Sequence, residues 1–395
     1  MLKILSINDS CTGCGACVST CPKGALTLSY NEEGFYYPHL NEDKCVDCHL
    51  CEKVCHVLKN DLTENPSRDF RPVMLKAKSK DLLFQSSSGG AFSLLADVIL
   101  KEGGVVYGAR YNYEKERLEH CSTDECSIEE LRKSKYIESY MGSTFQGVRK
   151  NLRSGRKVMF CGTPCQVKGL INYLEVLKVP QDNLLTVRFI CHGVPANKFF
   201  TEYKHYIEKK IEAKVVYLDF RTKTTGWRSS DMYLKFSNEK IVCEPYIYNY
   251  YYYYFQRNYL LRSSCYTCDQ ILQTTGDITI ADFWGIFKYR PENKDQEGIS
   301  LVLAQSPKAE QILRTISDYC DMEELPQSAV DYIYKDGPTK KTLLDNRRIM
   351  MSDVIKKGYM PTAKKVIGKT IFLNRTKGNI RGFLKRVGLW KLIRG

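Results

Sequence analysis

The stretch Cys11-Thr-Gly-Cys14-Gly-Ala-Cys17-Val-Ser-Thr-Cys21-Pro22 determines how the N-terminal part of the chain is organised. The same cysteine spacing returns 34 residues later, at Cys45, Cys48, Cys51 and Cys55. One loop-and-helix unit is therefore present twice. This repeat bounds a first domain at residues 1–60.

Each run follows the Cys-x2-Cys-x2-Cys-x3-Cys pattern by which bacterial ferredoxins hold [4Fe-4S] clusters, with the fourth cysteine bound to the other cluster. The spacing predicts two clusters, one held by Cys11, Cys14, Cys17 and Cys55 and one by Cys45, Cys48, Cys51 and Cys21. Structural zinc is the alternative, but zinc modules supply cysteines in separated pairs, whereas each run has three closely spaced ligands. His56 stands where a second proline is expected, and we interpret it as a packing or solvated residue.

The composition is that of a globular protein, apart from its cysteines. The chain has 395 residues, of which 43% are hydrophobic and 26% charged, enough for two or three domains. Its 17 cysteines are an odd number, eight of them within the first 55 residues, which argues against a disulfide scaffold. The first residues contain no apolar h-region and no stretch approaches a membrane span. These features predict a cytoplasmic protein.

The positive charge of the chain is concentrated at its C-terminal end. The formal charge is +14, from 59 basic and 45 acidic residues. Residues 340–395 hold 16 of the basic and 2 of the acidic residues, so residues 1–339 balance at 43 of each. Because the body offers no basic field, we expect no nucleic-acid partner.

Between the repeat and the basic end, the pattern alternates between helical and strand-like segments. We place a polar linker at residues 61–72, the two parts of an α/β or α+β body at 73–155 and 156–339, and the basic tail at 340–395. The predicted helices cover 90–101, 166–177, 197–210 and 307–319. The predicted strands cover 105–107, 157–160, 184–190, 215–220, 277–281 and 299–304.

Two glycine-containing turns and four loop cysteines are further candidates for chemistry. Residues 86–92 and 160–166 each form a turn before a helix, where free N–H groups favour an anion; a capped helix start is the simpler interpretation. No Gly-x-Gly-x-x-Gly lies between a strand and a helix, so a Rossmann site is not supported. The loop cysteines Cys165, Cys191, Cys265 and Cys268 have a spacing compatible with a third cluster, with zinc or with buried thiols, and Cys161 is an alternative ligand to Cys165.

At this point the sequence resembles the family of coenzyme F420 hydrogenase/dehydrogenase beta subunits, which are iron-sulfur flavoproteins, over residues 1 to about 305. The resemblance rests on eight motifs in order: Ser87-Ser-Gly-Gly, Gly103-Gly-Val-Val-Tyr-Gly, Ser134-Lys-Tyr, Gly162-Thr-Pro-Cys-Gln, Cys191-His-Gly-Val-Pro, Phe220-Arg-Thr-Lys-x-x-Gly-Trp, Ser264-Cys-Tyr-x-Cys and Gly276-Asp-Ile-Thr-Ile-Ala-Asp-Phe-Trp-Gly. Cys161 departs from the family pattern, in which a small residue without a thiol is commoner.

The resemblance implies a bacterial-type 2[4Fe-4S] ferredoxin fold followed by a mixed α/β flavin-binding body. It implies a third [4Fe-4S] cluster at Cys165, Cys191, Cys265 and Cys268, and FAD as a cofactor. The flavin contacts carried over from the family fall on Ser88, Gly89, Gly90, Lys135, Tyr136, Thr163 and Gln166.

Other residues are assigned weaker roles. His192 is a candidate proton donor, although a supporting hydrogen bond is the simpler role, and no catalytic residue is assigned. The tyrosine-rich run 246–254 is expected to pack, with cofactor stacking as the alternative, and Trp284 either shapes the flavin pocket or belongs to the core. In the tail, Ile380, Phe383, Leu384, Val387 and Trp390 share one helical face. This face predicts peripheral contact with the inner face of the membrane, with docking of an acidic electron carrier or a solvated tail as alternatives.

The sequence thus predicts an iron-sulfur flavoprotein oxidoreductase. It passes electrons between a ferredoxin-like donor, [4Fe-4S] clusters and FAD to a small two-electron acceptor, either F420-like or from a surface-polysaccharide pathway, with the direction of flow open. The first alternative is a non-catalytic electron-transfer subunit of a larger hydrogenase or dehydrogenase complex. The second is a binding module whose clusters only stabilise the fold.

Overall fold

The N-terminal unit of the computed structural model reproduces the sequence repeat in three dimensions. The structure describes residues 2–59, 70–229, 231–268, 275–293, 295–331 and 343–386. Helices α1 (Ala16–Thr20) and α2 (Leu50–Val54) occupy equivalent places in the two cysteine runs, followed by α3 (His56–Lys59). Strands β1 (Leu26–Tyr30) and β2 (Tyr36–Leu40) form an antiparallel hairpin between them. This is the predicted ferredoxin-type unit.

An eight-stranded mixed sheet forms the centre of the body, in the order β13-β3-β12-β11-β7-β6-β4-β5. Strands β4, β6, β7 and β11 run parallel, and the outer pairs are antiparallel. The strands are β3 (Arg71–Ala77), β4 (Val105–Asn112), β5 (Arg117–Ser122), β6 (Val158–Gly162), β7 (Leu184–Phe189), β11 (Ile278–Asp282), β12 (Ser300–Ala304) and β13 (Cys320–Glu324). A separate antiparallel sheet contains β8 (Val215–Thr222), β9 (Asp231–Phe236) and β10 (Ile241–Pro245).

Helices cover both faces of the large sheet. They are α4 (Lys80–Phe84), α5 (Ala91–Lys101), α6 (Ile128–Leu131), α7 (Thr144–Arg153), α8 (Pro164–Val176), α9 (Asn197–Ile211), α10 (Tyr250–Gln256), α11 (Ile286–Tyr289), α12 (Pro307–Ile316), α13 (Leu344–Lys357) and α14 (Tyr359–Arg386). Every helix and strand that the sequence predicts between residues 90 and 319 is present, within a few residues at its ends. None of the helices in the described ranges combines the length and apolarity needed to cross a bilayer.

The central strands are buried on both faces, as expected for parallel strands covered by helices. Val105 and Tyr107 of β4 pack on one side with α7, α8 and the N-terminal unit, whereas Val106 between them packs on the other side with α5 and α12. The apolar residues Leu2, Ile4 and Leu26 belong to the same core as α8. The ferredoxin-type unit is therefore packed onto the body through a shared core.

The predicted linker and tail both differ in part from the structure. Residues 60–69 lie outside the described residues, but Arg71 and Pro72 already belong to β3, where Arg71 pairs with Glu310 at 2.5 Å. In the tail, Arg347, Tyr359 and Ile371 are buried in a core shared with the tyrosine-rich run. A solvated tail is therefore wrong for α13 and the first half of α14. Val387 and Trp390 lie outside the described residues, as does the side chain of Leu384.

Candidate iron-sulfur centres

The eight repeat cysteines line two separate cavities, each of about 330–340 Å³ including space open to solvent. One cavity is lined by Cys11, Cys14, Cys17 and Cys55, together with Ile4, Ile7, Leu28 and Val57. The other is lined by Cys21, Cys45, Cys48 and Cys51, together with Leu2, Leu26 and Leu40. These are the two crossed sets predicted from the spacing. His56 is 5% exposed, and its Nε2 lies 3.1 Å from Oγ1 of Thr12, so it packs between the runs.

The chemistry of both cavities fits an iron-sulfur cluster. Each offers four sulfur donors within apolar walls, the donor set that selects iron-sulfur clusters or zinc rather than hard cations. Burial raises the pKa of Cys14 to about 12 and that of Cys51 to about 11, and it raises the pKa of Cys17 well above its usual value. Because thiolates are the ligands, cluster assembly here must release these protons.

The four candidate third-cluster cysteines come from three turns. Cys165 opens α8, Cys191 follows β7, and Cys265 and Cys268 lie in and just after a short 3-10 turn. Burial raises the pKa of the Cys165 thiol, and the neighbouring Cys265 thiol contributes to the shift. A Cβ at position 193, in the turn after Cys191, would lie 3.2 Å from Cβ of Cys265. The three turns therefore adjoin one another.

This third set lies next to the first cavity. Cys165 is among the thiols that raise the pKa of Cys14, after burial itself. The backbone carbonyl of Cys11 accepts hydrogen bonds from Arg262 Nε at 2.7 Å and from Ser264 Oγ at 3.0 Å, just before Cys265 in the chain. Gly169 of α8 packs so closely on the first run that a Cβ there would lie 3.0 Å from Cys14 Sγ. Two cysteine sets thus share one contact region.

Arg262 holds that region together from a fully buried position. Its guanidinium forms an ion pair with the buried carboxylate of Glu138 and donates to the carbonyl of Tyr36 at 2.8 Å. It thereby joins the first cysteine run, the β1–β2 hairpin and the body. Sequence reasoning missed Arg262, although it stands three residues before Cys265.

The structure separates Cys161 from Cys165. Cys161 lies on β6 and packs against the core on the α5 and α12 side of the sheet, where burial raises its pKa to about 12 and Lys135 opposes the shift. Cys165 instead has Thr163 Oγ1 at 3.1 Å and the Cys265 thiol nearby. Of the two alternatives left open by the sequence, only Cys165 neighbours the other loop cysteines.

The predicted flavin residues of the Ser-Ser-Gly-Gly turn are held against strands. Ser88 Oγ donates to the carbonyl of Ile299 at 2.7 Å, and the Gly89 N–H donates to Ser300 Oγ at 2.9 Å. A Cβ on Gly89 would lie 2.2 Å from the carbonyl oxygen of Leu75, so packing alone requires glycine here. Gly90 is buried and precedes α5.

Thr163 and Gln166 form a capping box at the start of α8. Gln166 Oε1 accepts from the Thr163 N–H at 2.9 Å, and the Thr163 hydroxyl accepts from the Gln166 N–H. Both side chains are buried. This is the capped helix start that was the simpler interpretation of the turn, and these groups bond within the protein.

Lys135 and Tyr136 lie in a different setting, beside a set of basic residues that we call the basic cluster: Lys133, Lys135, Arg221 and Lys223. Lys133 pairs with Asp219 at 2.6 Å and Arg221 pairs with Asp282. The other two lysines donate to carbonyls, Lys135 to that of Arg132 and Lys223 to those of Leu83 and Ser88. Desolvation lowers the pKa of Lys135 to about 8 and that of Lys223 to about 7.

The basic cluster adjoins the Ser-Ser-Gly-Gly turn and two aromatic groups. The Ser134 N–H donates to Ser87 Oγ at 2.7 Å. Tyr136 stacks on Phe255 with ring centroids 4.4 Å apart, and the Arg221 guanidinium lies over Trp284, which is 43% exposed. The signal for Arg221 and Lys223 was in the Phe220-Arg-Thr-Lys motif, but the sequence did not assign them a role. Four of the eight motifs therefore meet in one place.

His192 and the tyrosine-rich run have structural surroundings. His192 Nε2 lies 3.0 Å from the carbonyl of Phe255, the supporting hydrogen bond that was the simpler expectation. Tyr251, Tyr252 and Tyr254 are fully buried in the core shared with α9 and α14. The prediction that most of this run packs is confirmed.

Comparison with known proteins accounts for both halves of the chain. Residues 155–328 match the family described as the C terminus of the coenzyme F420 hydrogenase/dehydrogenase beta subunit, and residues 10–58 match the 4Fe-4S dicluster domain. The F subunit of the F420H2 dehydrogenase of Methanosarcina mazei is 26% identical over 237 residues, covering 56% of this chain and 64% of that subunit. The chain thus spans less than two thirds of that relative.

Two further similarities concern parts of the chain. An uncharacterized ferredoxin of Methanocaldococcus jannaschii is 35% identical over 54 residues, which cover 14% of this chain and 69% of that ferredoxin. A chain of the xenon-derivatised F420-reducing [NiFe] hydrogenase complex from Methanosarcina barkeri aligns with 17% identity and a TM-score of 0.48, over 70% of this chain and 91% of that one. By its sequence matches, the chain belongs to the family of coenzyme F420 hydrogenase/dehydrogenase beta subunits and joins that domain to an N-terminal 4Fe-4S dicluster domain.

Proposed function

We propose that this protein is an iron-sulfur flavoprotein oxidoreductase. In this proposal, electrons pass between a ferredoxin-like carrier and a small two-electron acceptor through two clusters in the N-terminal unit, a third cluster and FAD. The name of the relative from Methanosarcina mazei, an F420H2 dehydrogenase, favours an F420-like acceptor over a surface-polysaccharide substrate. Direction is set by reduction potentials, which the surroundings of each cluster tune.

The single observation that carries the proposal is the contact between the first and third cysteine sets. Cys165 neighbours Cys14, and the Cys11 carbonyl accepts from Arg262 and Ser264. A binding module with purely structural clusters has no need for adjoining cluster sites. An electron relay does, because single electrons move between centres only when these are close.

The basic cluster supports a bound flavin. Lys135 and Lys223 are half-buried cations that donate to carbonyls, and no carboxylate accepts from either within the described ranges. An anionic group such as a diphosphate would compensate these charges. When bound, FAD supplies exchange between one-electron and two-electron chemistry. We propose Ser88, Gly89, Gly90, Tyr136, Thr163 and Gln166 as further parts of its surroundings, the buried ones through backbone and packing.

The second candidate function is an electron-transfer subunit of a larger complex without its own substrate. The relative from Methanosarcina mazei is named as a subunit, which favours this candidate. The two functions differ in one measurement: the purified chain alone either turns over an acceptor with reduced ferredoxin or requires a stably co-purifying partner.

The cluster content tests the proposal through one pair of cysteines. We expect about twelve iron atoms and about one FAD per chain after anaerobic purification, because each [4Fe-4S] cluster contributes four irons. The variant Cys165→Ser should lose about four irons, since a weaker ligand replaces a thiolate. The matched variant Cys161→Ser should keep them, because Cys161 packs on the other face of the sheet.

The measurement is iron, sulfide and flavin per chain, together with the absorption spectrum. About eight irons without flavin would reject both the third cluster and the flavin chemistry, leaving a relay or binding module. Loss of iron from Cys161→Ser but not from Cys165→Ser would reassign the ligand.

We also propose that α14 contacts an anionic lipid surface. One face of the helix packs on the body through Ile367 and Ile371, whereas Phe372 and Phe383 are 68% and 60% exposed. The helix contains eight Lys and Arg and no Asp or Glu. Exposed aromatic groups among basic residues are typical of helices that lie at membrane interfaces. Charge complementarity therefore favours an anionic bilayer.

Vesicle binding tests this contact. The double variant Phe372→Ser/Phe383→Ser should bind phosphatidylglycerol-containing vesicles at least about tenfold more weakly, because burial of each aromatic side chain is worth about 2 kcal/mol. Tyr319→Ser is the matched control, since Tyr319 is 56% exposed on a different surface, and it should bind normally. Co-sedimentation at low and high salt measures both effects. Equal binding to neutral phosphatidylcholine vesicles, or no binding at all, would exclude the lipid surface.

A further inference from the structure

Cys121 and Cys126 form a close thiol pair outside all the sites described above. Their sulfurs lie 2.7 Å apart. Cys121 is on β5 and 5% exposed, whereas Cys126 lies in an exposed turn before α6 and is only partly covered. The Cys126 N–H donates to the carbonyl of Ser122 at 3.1 Å. The backbone of this short turn therefore holds the two sulfurs together.

The charges around the pair make one thiol the better nucleophile. The contact with Cys121 lowers the pKa of Cys126 and raises that of Cys121, and the guanidinium of Arg110 on β4 lowers the pKa of Cys126 further. The more exposed sulfur is thus also the one that more readily becomes a thiolate, which is the reactive form. The pair lies within electrostatic reach of Lys135, and so beside the basic cluster.

We propose that Cys121 and Cys126 are a redox-active dithiol that closes to an intramolecular disulfide by exchange with small-molecule disulfides. The Cys126 thiolate attacks one sulfur of the small disulfide, forming a mixed disulfide and expelling one thiolate. The Cys121 thiolate then attacks Cys126 Sγ and expels the second thiolate. The two protons released from the cysteines end on the two small thiols. The protein pair is oxidised by two electrons, and the small disulfide is reduced by two.

Peptide mass spectrometry on the full chain tests this directly. Trypsin cleavage after Arg117 and Arg132 places both cysteines in one peptide, residues 118–132, whereas the exposed Cys243 lies in another. The holoprotein is equilibrated anaerobically in glutathione buffers of increasing oxidised fraction, blocked with N-ethylmaleimide and digested. We expect the peptide 118–132 to change reversibly from a doubly alkylated form to one that has lost two hydrogens and carries no alkyl group. This change should precede glutathione addition at Cys243.

Single-cysteine variants give the order of attack. Cys121→Ser should stop at a glutathione adduct on Cys126, and Cys126→Ser should leave Cys121 without adduct because it is buried. Two free thiols in the peptide 118–132 at oxidised fractions where Cys243 has already formed its adduct would overturn the proposal. An adduct on Cys121 in the Cys126→Ser variant would overturn the assignment of the attacking sulfur.

Discussion

The double variant Cys11→Ser/Cys55→Ser should lose no more iron than Cys55→Ser alone, although the two cysteines belong to different runs. Both line the same cavity, so either substitution removes the same cluster, about four irons. The variant Cys51→Ser/Cys55→Ser should lose about eight irons, although its two cysteines belong to one run, because Cys51 lines the other cavity. Substitutions that disable one unit do not add, whereas those in separate units do.

The mirror pair makes the test symmetric. Cys21→Ser/Cys48→Ser should match either of its single variants, since Cys21 and Cys48 line the second cavity. Iron and acid-labile sulfide per chain, with electron paramagnetic resonance of the reduced protein, count the clusters that remain. If each run held its own cluster, the order would reverse: Cys51→Ser/Cys55→Ser would cost about four irons and Cys11→Ser/Cys55→Ser about eight.

The cysteine sets could be predicted because their geometry is encoded locally. A ligand spacing of three residues fixes which sulfurs can face one cluster, and a repeat of the same spacing fixes the partner run. The strands of the large sheet were predictable for a similar reason. Val105, Val106 and Tyr107 form a continuous apolar run, as expected of a strand buried on both faces.

Residues whose role depends on distant partners could not be predicted. Arg262 bonds to Cys11, Tyr36 and Glu138, which are 251, 226 and 124 positions away in the sequence. Gly89 was expected to contact a ligand because it stands in a glycine turn, but its first requirement is the close approach to Leu75. The basic cluster likewise forms only where separate loops meet. Sequence gives the chemistry of such residues but not their neighbours.

The packing of the C-terminal helix was missed for another reason. Its apolar pattern was taken from residues 380–390, where one helical face is evident. The face that packs on the body lies earlier, at Met360, Ala363, Ile367 and Ile371. Lysines and arginines between these positions obscure the pattern, since their long side chains reach solvent from the edges of a packed face.

The largest loss of stability should come from Arg262→Met. The Arg262 guanidinium is fully buried and neutralises Glu138, which is 4% exposed. Removing one partner of a buried ion pair leaves an uncompensated charge and typically costs about 3–5 kcal/mol. The carbonyls of Cys11 and Tyr36 also lose donors. We therefore expect a clearly lower urea midpoint for the anaerobic holoprotein.

Two controls separate the buried charge from the loss of packing. The double variant Arg262→Met/Glu138→Leu should regain part of the lost stability, because it leaves no unpaired charge in the core. Lys157→Ala removes a surface pair with Glu102, in which both side chains are nearly half exposed, and should change the free energy of unfolding by less than about 1 kcal/mol. Because Arg262 bonds directly to the Cys11 carbonyl, Arg262→Met should also slow electron exchange between the first and third clusters. A variant as stable as the wild type, with unchanged reduction kinetics, would show that Arg262 fills space between the two cysteine sets without holding them together.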